Sequence, residues 1–341
     1  MSPLTEDTKT FDSWAAAHVE GYAGPSRAIK YPTGQSNPTY RIETPGRAYV
    51  LRCKPPGKLL KSAHMVEREF RVLRALGGVG FPVPPALVLC EDESVVGSVF
   101  YVMAHVDGNI YWDPALAELA HDERAAIYDS MNAGLAALHS VDVEKAGLAD
   151  FGKPGNYFAR QTQRWTEQYR ASETATVADM NRLMDWLAAN MPPDDGRVSL
   201  VHGDFRIDNM IFAPGSGKLL AVLDWELSTV GHPFADLAYQ CMQWRLPNAG
   251  EMRGLDGIDR AATGLPSDEQ YVASYCRRMG LDSVPHWPFL IAFSFFRIAA
   301  ILQGVYKRAL DGNASNPERG IKMGAAVPLM ARLAMEEVGR V

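Results

Sequence analysis

Three side chains between positions 200 and 226 have the types and spacing to move a phosphoryl group. Asp204 and Asn209 lie five positions apart in the stretch Leu200–Phe212, and Asp224 follows a second short apolar run, Leu219–Leu223. A carboxylate beside an alcohol accepts or orients its proton, while an amide and a second carboxylate hold Mg2+ on nucleotide phosphates. Phosphoryl transfer asks that division of labour of a protein. One carboxylate alone would point to no particular chemistry. The ordered trio, with turn chemistry between its members, does.

The elements that must present these groups can be read around them. Met210–Phe212 and Leu219–Leu223 are too short for helices and are bounded by turn residues, so they read as two strands of a hairpin. Pro214, Gly215, Ser216 and Gly217 make the turn. Gly215–Lys218 imitates the end of a Walker A loop, but Leu219 follows the lysine and Phe212 stands where the first glycine belongs. Further upstream, Thr39–Ile42 and Arg47–Arg52 form a strand pair joined through Pro45-Gly46. Met65–Leu76 has the helical period, with Glu69 in the middle of its apolar arc. A carboxylate there requires a partner, since burying an unpaired charge costs several kcal/mol. Phe81–Leu89, with its prolines, reads as a connector, Ser98–Met103 as a strand, and Pro25–Asn37 as a loop. From Pro114 onward helices are predicted: Asp122–His139, Asn156–Ala171, Thr174–Met191, one opened by Gly231–Ala238, Gln270–Met279 and Trp287–Leu310. Phe11–Val19 is a short helix capped by Asp12 or Ser13. His139 reads as a capping or core histidine. Trp244–Pro266 is read as irregular.

The Asp204-to-Asn209 step equals that of the kinase catalytic-loop pattern H-R-D-x-x-x-x-N. His202-Gly203-Asp204 through Asn209, with Asp224 after the next strand, resembles the aminoglycoside phosphotransferase-like kinases. The similarity is closer still to the kinase domain that precedes acyl-CoA dehydrogenase domains in some fusion proteins. Gly34–Asn37, Tyr49–Arg52, Arg68–Leu73, Arg160-Gln161, Arg164-Trp165 and Phe296–Ala300 extend it over most of the chain.

This resemblance implies an α+β, bilobal, protein-kinase-like fold. It has a small lobe with a mixed β-sheet over residues 1–104, a hinge at 105–108 and a mainly helical lobe over 109–341. It implies Asp204 as the base and Asn209 and Asp224 as Mg2+ ligands. Arg52 takes the strand position where kinases carry a lysine, and Glu69 the position of its helix partner. Lys54 is the competing phosphate ligand. Gly34 and Ser36 would cover the phosphates, and backbone groups from Ala104 to Val106 would hold the adenine edge. Asp236 and His202 would brace the catalytic-loop backbone. The cofactors implied are ATP and Mg2+.

Bulk properties narrow the class. At 341 residues the chain can form two lobes. A net charge of −6 gives no footprint for nucleic acid. Cys53, Cys90, Cys241 and Cys276 are scattered without C-x-x-C spacing, so they read as reduced thiols, and a cytoplasmic setting is expected. Met1–Thr10 lacks an apolar core, so no signal peptide is expected. Trp287–Val305 contains Arg297 and Gln303 and reads as a buried helix rather than a membrane span. Trp225-Glu226 follows Asp224 in place of Phe-Gly, and no A-P-E segment follows. Both facts disfavour a protein kinase and favour a small-molecule kinase. A nucleotide-binding pseudokinase and an antibiotic kinase are the alternatives. The oligomeric state is left open.

The charge pattern bears on the acceptor. Residues 285–341 hold seven Lys and Arg against four Asp and Glu, an excess of basic charge within an acidic chain. Arg297 stands among Phe293, Phe295, Phe296, Ile298 and Ile301 and would need an anion, either Asp236 or a group on the substrate. With the resemblance, this predicts an anionic, hydroxylated small molecule, such as a hydroxyacyl-CoA or hydroxy acid.

Overall fold

The computed structural model describes residues 8–31, 37–55, 65–250, 252–313 and 316–339. Its elements in chain order are α1 (Lys9–His18), β1 (Arg27–Lys30), β2 (Thr39–Glu43), β3 (Ala48–Cys53), α2 (Val66–Gly78), β4 (Ala86–Cys90) and β5 (Phe100–Ala104). Then come α3 (His121–His139), α4 (Tyr157–Ser172), α5 (Ala178–Ala189), β6 (Ser199–Val201), β7 (Met210–Phe212), β8 (Leu219–Val222) and β9 (Thr229–Gly231). The chain closes with α6 (Phe234–Gln243), α7 (Arg260–Thr263), α8 (Asp268–Met279), α9 (Trp287–Leu310), α10 (Pro317–Gly324) and α11 (Val327–Val338). A small sheet and many helices make the chain α+β. It divides into two compact units. The first is Met1–Ile110 with Asn209–Pro214 and Leu219–Leu227; the second is Tyr111–Asp208, Gly215–Lys218 and Ser228–Val341.

The first unit is built on a five-stranded sheet of order β1-β2-β3-β5-β4. Every pairing in it is antiparallel, so the mixed sheet expected from the sequence resolves to an antiparallel one. The reason is that β5 inserts between β3 and β4, so two strands running the same way never become neighbours. Period-two alternation sends Tyr40, Ile42, Tyr49, Leu51 and Cys53 to one face, where they join Phe100, Val102 and the Phe11 and Ala15 side chains of α1 in one apolar cluster. Arg52, of opposite parity to Leu51, projects from the other face. There α2 buries Val66, Glu69, Val72, Leu73 and Leu76, at helical spacings of one to three residues.

Two strands lie where the sequence reads as loop or connector. β1 is an edge strand with an almost wholly exposed face, so it lacks the apolar alternation that marks a strand. β4 follows the Pro82–Pro85 punctuation, and its ladder with β5 carries an irregularity between Ala86 and Val88. The cap of α1 also differs. Its N-cap is Thr8, and Asp12 instead accepts hydrogen bonds from the Ser26 backbone and hydroxyl at 3.1 and 2.6 Å.

β7 and β8 pair antiparallel as Met210↔Val222, Ile211↔Ala221 and Phe212↔Leu219. The segment after β5 is tied to this hairpin. Asn109 N–H donates to the Phe212 carbonyl at 2.8 Å, and Phe212 N–H returns to the Asn109 carbonyl at 2.9 Å. The approach leaves no room for a side chain at Gly108, where a Cβ would stand 2.5 Å from Ile211 Cγ2 and 2.7 Å from the Phe212 carbonyl oxygen.

The second unit is organised by α9, whose residues from Phe289 to Gly304 are buried with few gaps. It packs against α4, α5, α6, α10 and α11. It is long and apolar enough to cross a membrane, but 78% of its most apolar window is buried inside the protein, as befits a core helix. α10 and α11, which the sequence reading did not separate out, cover it. A two-stranded ribbon pairs β6 with β9 as Ser199↔Gly231, Leu200↔Val230 and Val201↔Thr229. Residues 202–208 leave one strand of this ribbon, and α6 follows the other. The Trp244–Pro266 stretch contains one short helix, α7.

Gly108→Ala is expected to destabilise the protein by about 1–3 kcal/mol, because backbone must shift to admit the new carbon. Urea unfolding checks this, and unchanged stability would show that the linker has slack against the hairpin.

Candidate active site

In the first unit, Arg52 is the hub of a carboxylate cluster. The register places Arg52 opposite Tyr101 across the β3–β5 ladder, and both reach Glu69 on α2. Arg52 Nε lies 2.7 Å from Glu69 Oε2 as an ion pair, although the N–H is not aligned for a hydrogen bond. The Tyr101 hydroxyl donates to the same oxygen at 3.1 Å, and Asn37 Nδ2 donates to Oε1 at 2.7 Å. Glu69 is only 1% exposed, so these partners answer the desolvation that its place on the apolar face demands. Burial pushes its carboxyl up, against the lowering pull of Arg52. Burial pulls the Arg52 guanidinium down, but Asp224 and Glu69 outweigh it and hold the group charged well above its ordinary value. Lys54 takes a different partner, Glu67.

Asp224 joins this cluster from the hairpin. Arg52 Nη2 donates to Asp224 Oδ1 at 2.7 Å and stands 3.5 Å from Glu226 Oε2. One guanidinium therefore faces three carboxylates. Asp224 has φ +62°, a left-handed conformation costly for a residue with a Cβ. The turn is fixed by Trp225, which is buried, donates Nε1–H to the Val222 carbonyl at 3.0 Å and meets Phe81 edge-on at 6.0 Å. Asn209 is set opposite Leu223, whose N–H donates to its carbonyl at 2.8 Å. The hairpin thus brings Asn209 and Asp224 to the same end of its two strands. Among the described residues no group of three His, Cys, Asp or Glu side chains is arranged to hold a metal by itself. Asn209 and Asp224 offer two hard oxygen ligands, which suits an ion completed by phosphate and water.

Gly34 and Ser36 lie outside the described residues. Ala104 ends β5, and its N–H donates to the Pro85 carbonyl at 2.9 Å. Val106 is half-buried in the linker that follows.

In the second unit, the loop after β6 carries Asp204. Asp236, in the first turn of α6 and 1% exposed, accepts the His202 N–H at 2.6 Å on Oδ2 and the Gly203 N–H at 2.8 Å on Oδ1. His139 Nε2 stands 3.5 Å from Oδ2, and its Nδ1 pairs with the Tyr275 hydroxyl at 2.8 Å. Burial raises the Asp236 carboxyl, but His139, His202 and the Gly203 N–H outweigh it and hold it below the ordinary carboxylate range. His202 Nδ1 accepts the Asp204 N–H at 3.1 Å. Asp204 Oδ1 accepts the Tyr239 hydroxyl at 2.7 Å and lies 3.5 Å from Arg206 Nε, while Arg206 Nη2 pairs with Asp208 at 2.7 Å.

Arg297 is buried, as its apolar neighbours imply. It is 7% exposed, and its Nη1 donates to the Gly203 carbonyl at 2.6 Å. Its guanidinium carbon stands 5.8 Å from the Trp165 ring centre and 5.6 Å from that of Tyr239. A backbone carbonyl and two aromatic faces therefore surround the charge, while Asp236 is engaged by the His202 and Gly203 N–H groups.

Sequence reasoning missed Tyr101, Asn37, Glu226 and Tyr239 as partners of these groups. A signal existed for two of them. Tyr239 stands three residues beyond Asp236, one helical turn along the same face. Asn37 ends the Gly34–Asn37 stretch that lies just before β2. Tyr101 becomes a partner only through strand register, which no local pattern displays.

Arg52→Ala is expected to cost about 3–5 kcal/mol, since it leaves the buried Glu69 carboxylate without its cation, and Glu69→Gln less, since Arg52 keeps Asp224 and Glu226. The double variant should fall short of additivity by about 0.5–3 kcal/mol. Fully additive losses in urea unfolding would dissolve the pair.

The chain is 49% identical over 314 residues to acyl-CoA dehydrogenase family member 10 of Mus musculus, covering 92% of this chain but spanning only 29% of that relative's length. A crystal structure from Ralstonia eutropha JMP134, provisionally described as an aminoglycoside phosphotransferase, is 46% identical and superposes with a TM-score of 0.87 over 98% of both chains. A thermostable mutant of an aminoglycoside phosphotransferase, solved as a ternary complex with ADP and hygromycin B, shares the fold at 16% identity, with a TM-score of 0.63 over 98% of this chain and 99% of its own. The fold is kinase-like, and the family model of the phosphotransferase enzyme family matches residues 28–271. The chain belongs to that family of kinase-type enzymes.

Proposed function

We propose that this protein transfers the γ-phosphoryl group of ATP to a hydroxyl of a small molecule, with Asp204 as the base. The observation that carries this reading is the Arg52–Glu69 ion pair extended to Asp224. It joins a strand cation, a helix carboxylate and a hairpin carboxylate in the combination that phosphoryl transfer uses to hold nucleotide phosphates and their metal. Nucleotide use is also supported by the ADP complex of the distant aminoglycoside phosphotransferase.

Each group then has a defined task. Arg52 contacts phosphate oxygens and is held in place by Glu69. Asn209 and Asp224 would hold Mg2+, which supplies charge neutralisation on the phosphates when bound. Asp204 takes or orients the proton of the acceptor hydroxyl, and Asp236 fixes the backbone that carries it. Backbone groups of Ala104 and Val106 face the purine. Gly34 and Ser36 belong to the segment proposed to cover the phosphates.

For the acceptor we favour an anionic hydroxylated compound, a hydroxyacyl-CoA or hydroxy acid. The support is the excess of basic residues over 285–341 and the similarity to a relative named for acyl-CoA dehydrogenases. A nucleotide-binding role without turnover is the second reading, favoured by arginine in place of lysine at position 52. Mg·ATP consumption with a panel of hydroxyacyl-CoAs, free hydroxy acids and hygromycin B separates these. The acyl compounds are expected to show the highest kcat/KM, and Asp204→Ala should lose about 10²–10⁴ in rate while still binding ATP. A higher kcat/KM for hygromycin B would overturn the anionic acceptor. ATP binding without consumption in any arm would favour the second reading.

The metal assignment has its own test. Titration of activity against free Mg2+ should show a raised requirement in Asn209→Ala and a larger one in Asp224→Ala, which also loses charge. Superimposable curves for both variants and the parent would remove these residues from the metal site.

A further inference from the structure

We infer that Tyr239 is a positioning residue for the base: its hydroxyl fixes the orientation of the Asp204 carboxylate, and Arg297 holds both ends of that connection. The inference rests on the reading of Asp204 as base. Tyr239 donates to Asp204 Oδ1 at 2.7 Å from a site only 4% exposed. Burial, and after it Asp204, pushes the Tyr239 hydroxyl above its ordinary value, so it stays protonated and remains a donor. The ring carrying it is buried on α6, and the Arg297 guanidinium lies 5.6 Å from its centre.

Arg297 acts on the other side of the same residue. Its hydrogen bond to the Gly203 carbonyl grips the peptide immediately before Asp204. One side chain of α9 thus touches the backbone that carries the base and the ring that aims it. Arg297 lies over Trp165 as well, so α4 closes the cation on a second face. Among the described residues no carboxylate pairs with Arg297. A buried cation kept without a carboxylate is costly as packing alone. The arrangement is economical if its purpose is the geometry of residues 203 and 204. A general base works only when its oxygen stands within hydrogen-bond reach of the proton it takes, and displacement by about 1 Å can cost 10²-fold in rate.

Tyr239→Phe deletes one oxygen and keeps the ring over Arg297. With Mg·ATP and the acceptor of highest kcat/KM in the panel above, and with water alone, it is expected to lower kcat by about 10- to 100-fold. The KM for ATP and the melting temperature should stay at parent values. Asp204→Asn should be at least as impaired, and the double variant no worse than Asp204→Asn, since the hydroxyl acts only through that carboxylate. Parent-level kcat in Tyr239→Phe, or a further loss in the double variant beyond Asp204→Asn, overturns the inference. A fall in kcat matched by a fall in melting temperature would also overturn it, as the mark of a packing role. Parent-level turnover in Asp204→Asn would remove the base itself, a failure distinguishable from the others by the single variant alone.

Discussion

A carboxylate shut away from water must be surrounded by donors, and each unit of this protein is arranged around one such group. In the second unit it is Asp236, which is 1% exposed. Two successive backbone N–H groups and a histidine converge on it, and together they outweigh the cost of its burial. Because both N–H groups belong to the residues just before Asp204, the loop has little freedom to choose another conformation. In the first unit the group is Glu69, with Arg52, Tyr101 and Asn37 around it. These donors come from two strands and the segment before a third. Satisfying one buried carboxylate therefore fixes the relative placement of several backbone segments at once.

Much of this was legible in the sequence where a local pattern carried it. The period of α2 put Glu69 on an apolar face and so demanded a partner. The hairpin was visible in two apolar runs around a Pro-Gly-Ser-Gly turn, and α9 in a long apolar stretch whose bounds the structure reproduces. What stayed hidden depends on register and tertiary contact. β1 is mostly exposed and carries no alternation, while β6 and β9 are three residues each and acquire their identity only by pairing with each other. Arg297 is the instructive case. Its apolar neighbours rightly indicate burial, but they do not say that a carbonyl and two rings would receive the charge.

Position 52 shows how an arginine alters the arrangement. A lysine is a single point charge and would favour one carboxylate at a time. The guanidinium presents Nε toward Glu69 and Nη2 toward Asp224, so one side chain addresses the helix and the hairpin together. The cluster has more negative than positive charge, with Glu226 as the third carboxylate. That imbalance is what an incoming cation would relieve. The left-handed backbone at Asp224 belongs to the same setting, since conformational cost at a non-glycine residue is commonly retained where function over-determines it.

The reciprocal hydrogen bonds between Asn109 and Phe212 have a consequence for how the chain could be divided. The hairpin strands cluster with residues 1–110 although about a hundred residues of helix and loop precede them. The first unit is therefore discontinuous along the polypeptide. A fragment ending at Ile110 would include the five-stranded sheet and α2 yet lack Asn209, Asp224 and the strands that edge Gly108. Excision at the linker would strip Arg52 of two of its three carboxylates. For gene fusion or recombination, these two units are inherited as an interleaved pair rather than as exchangeable modules.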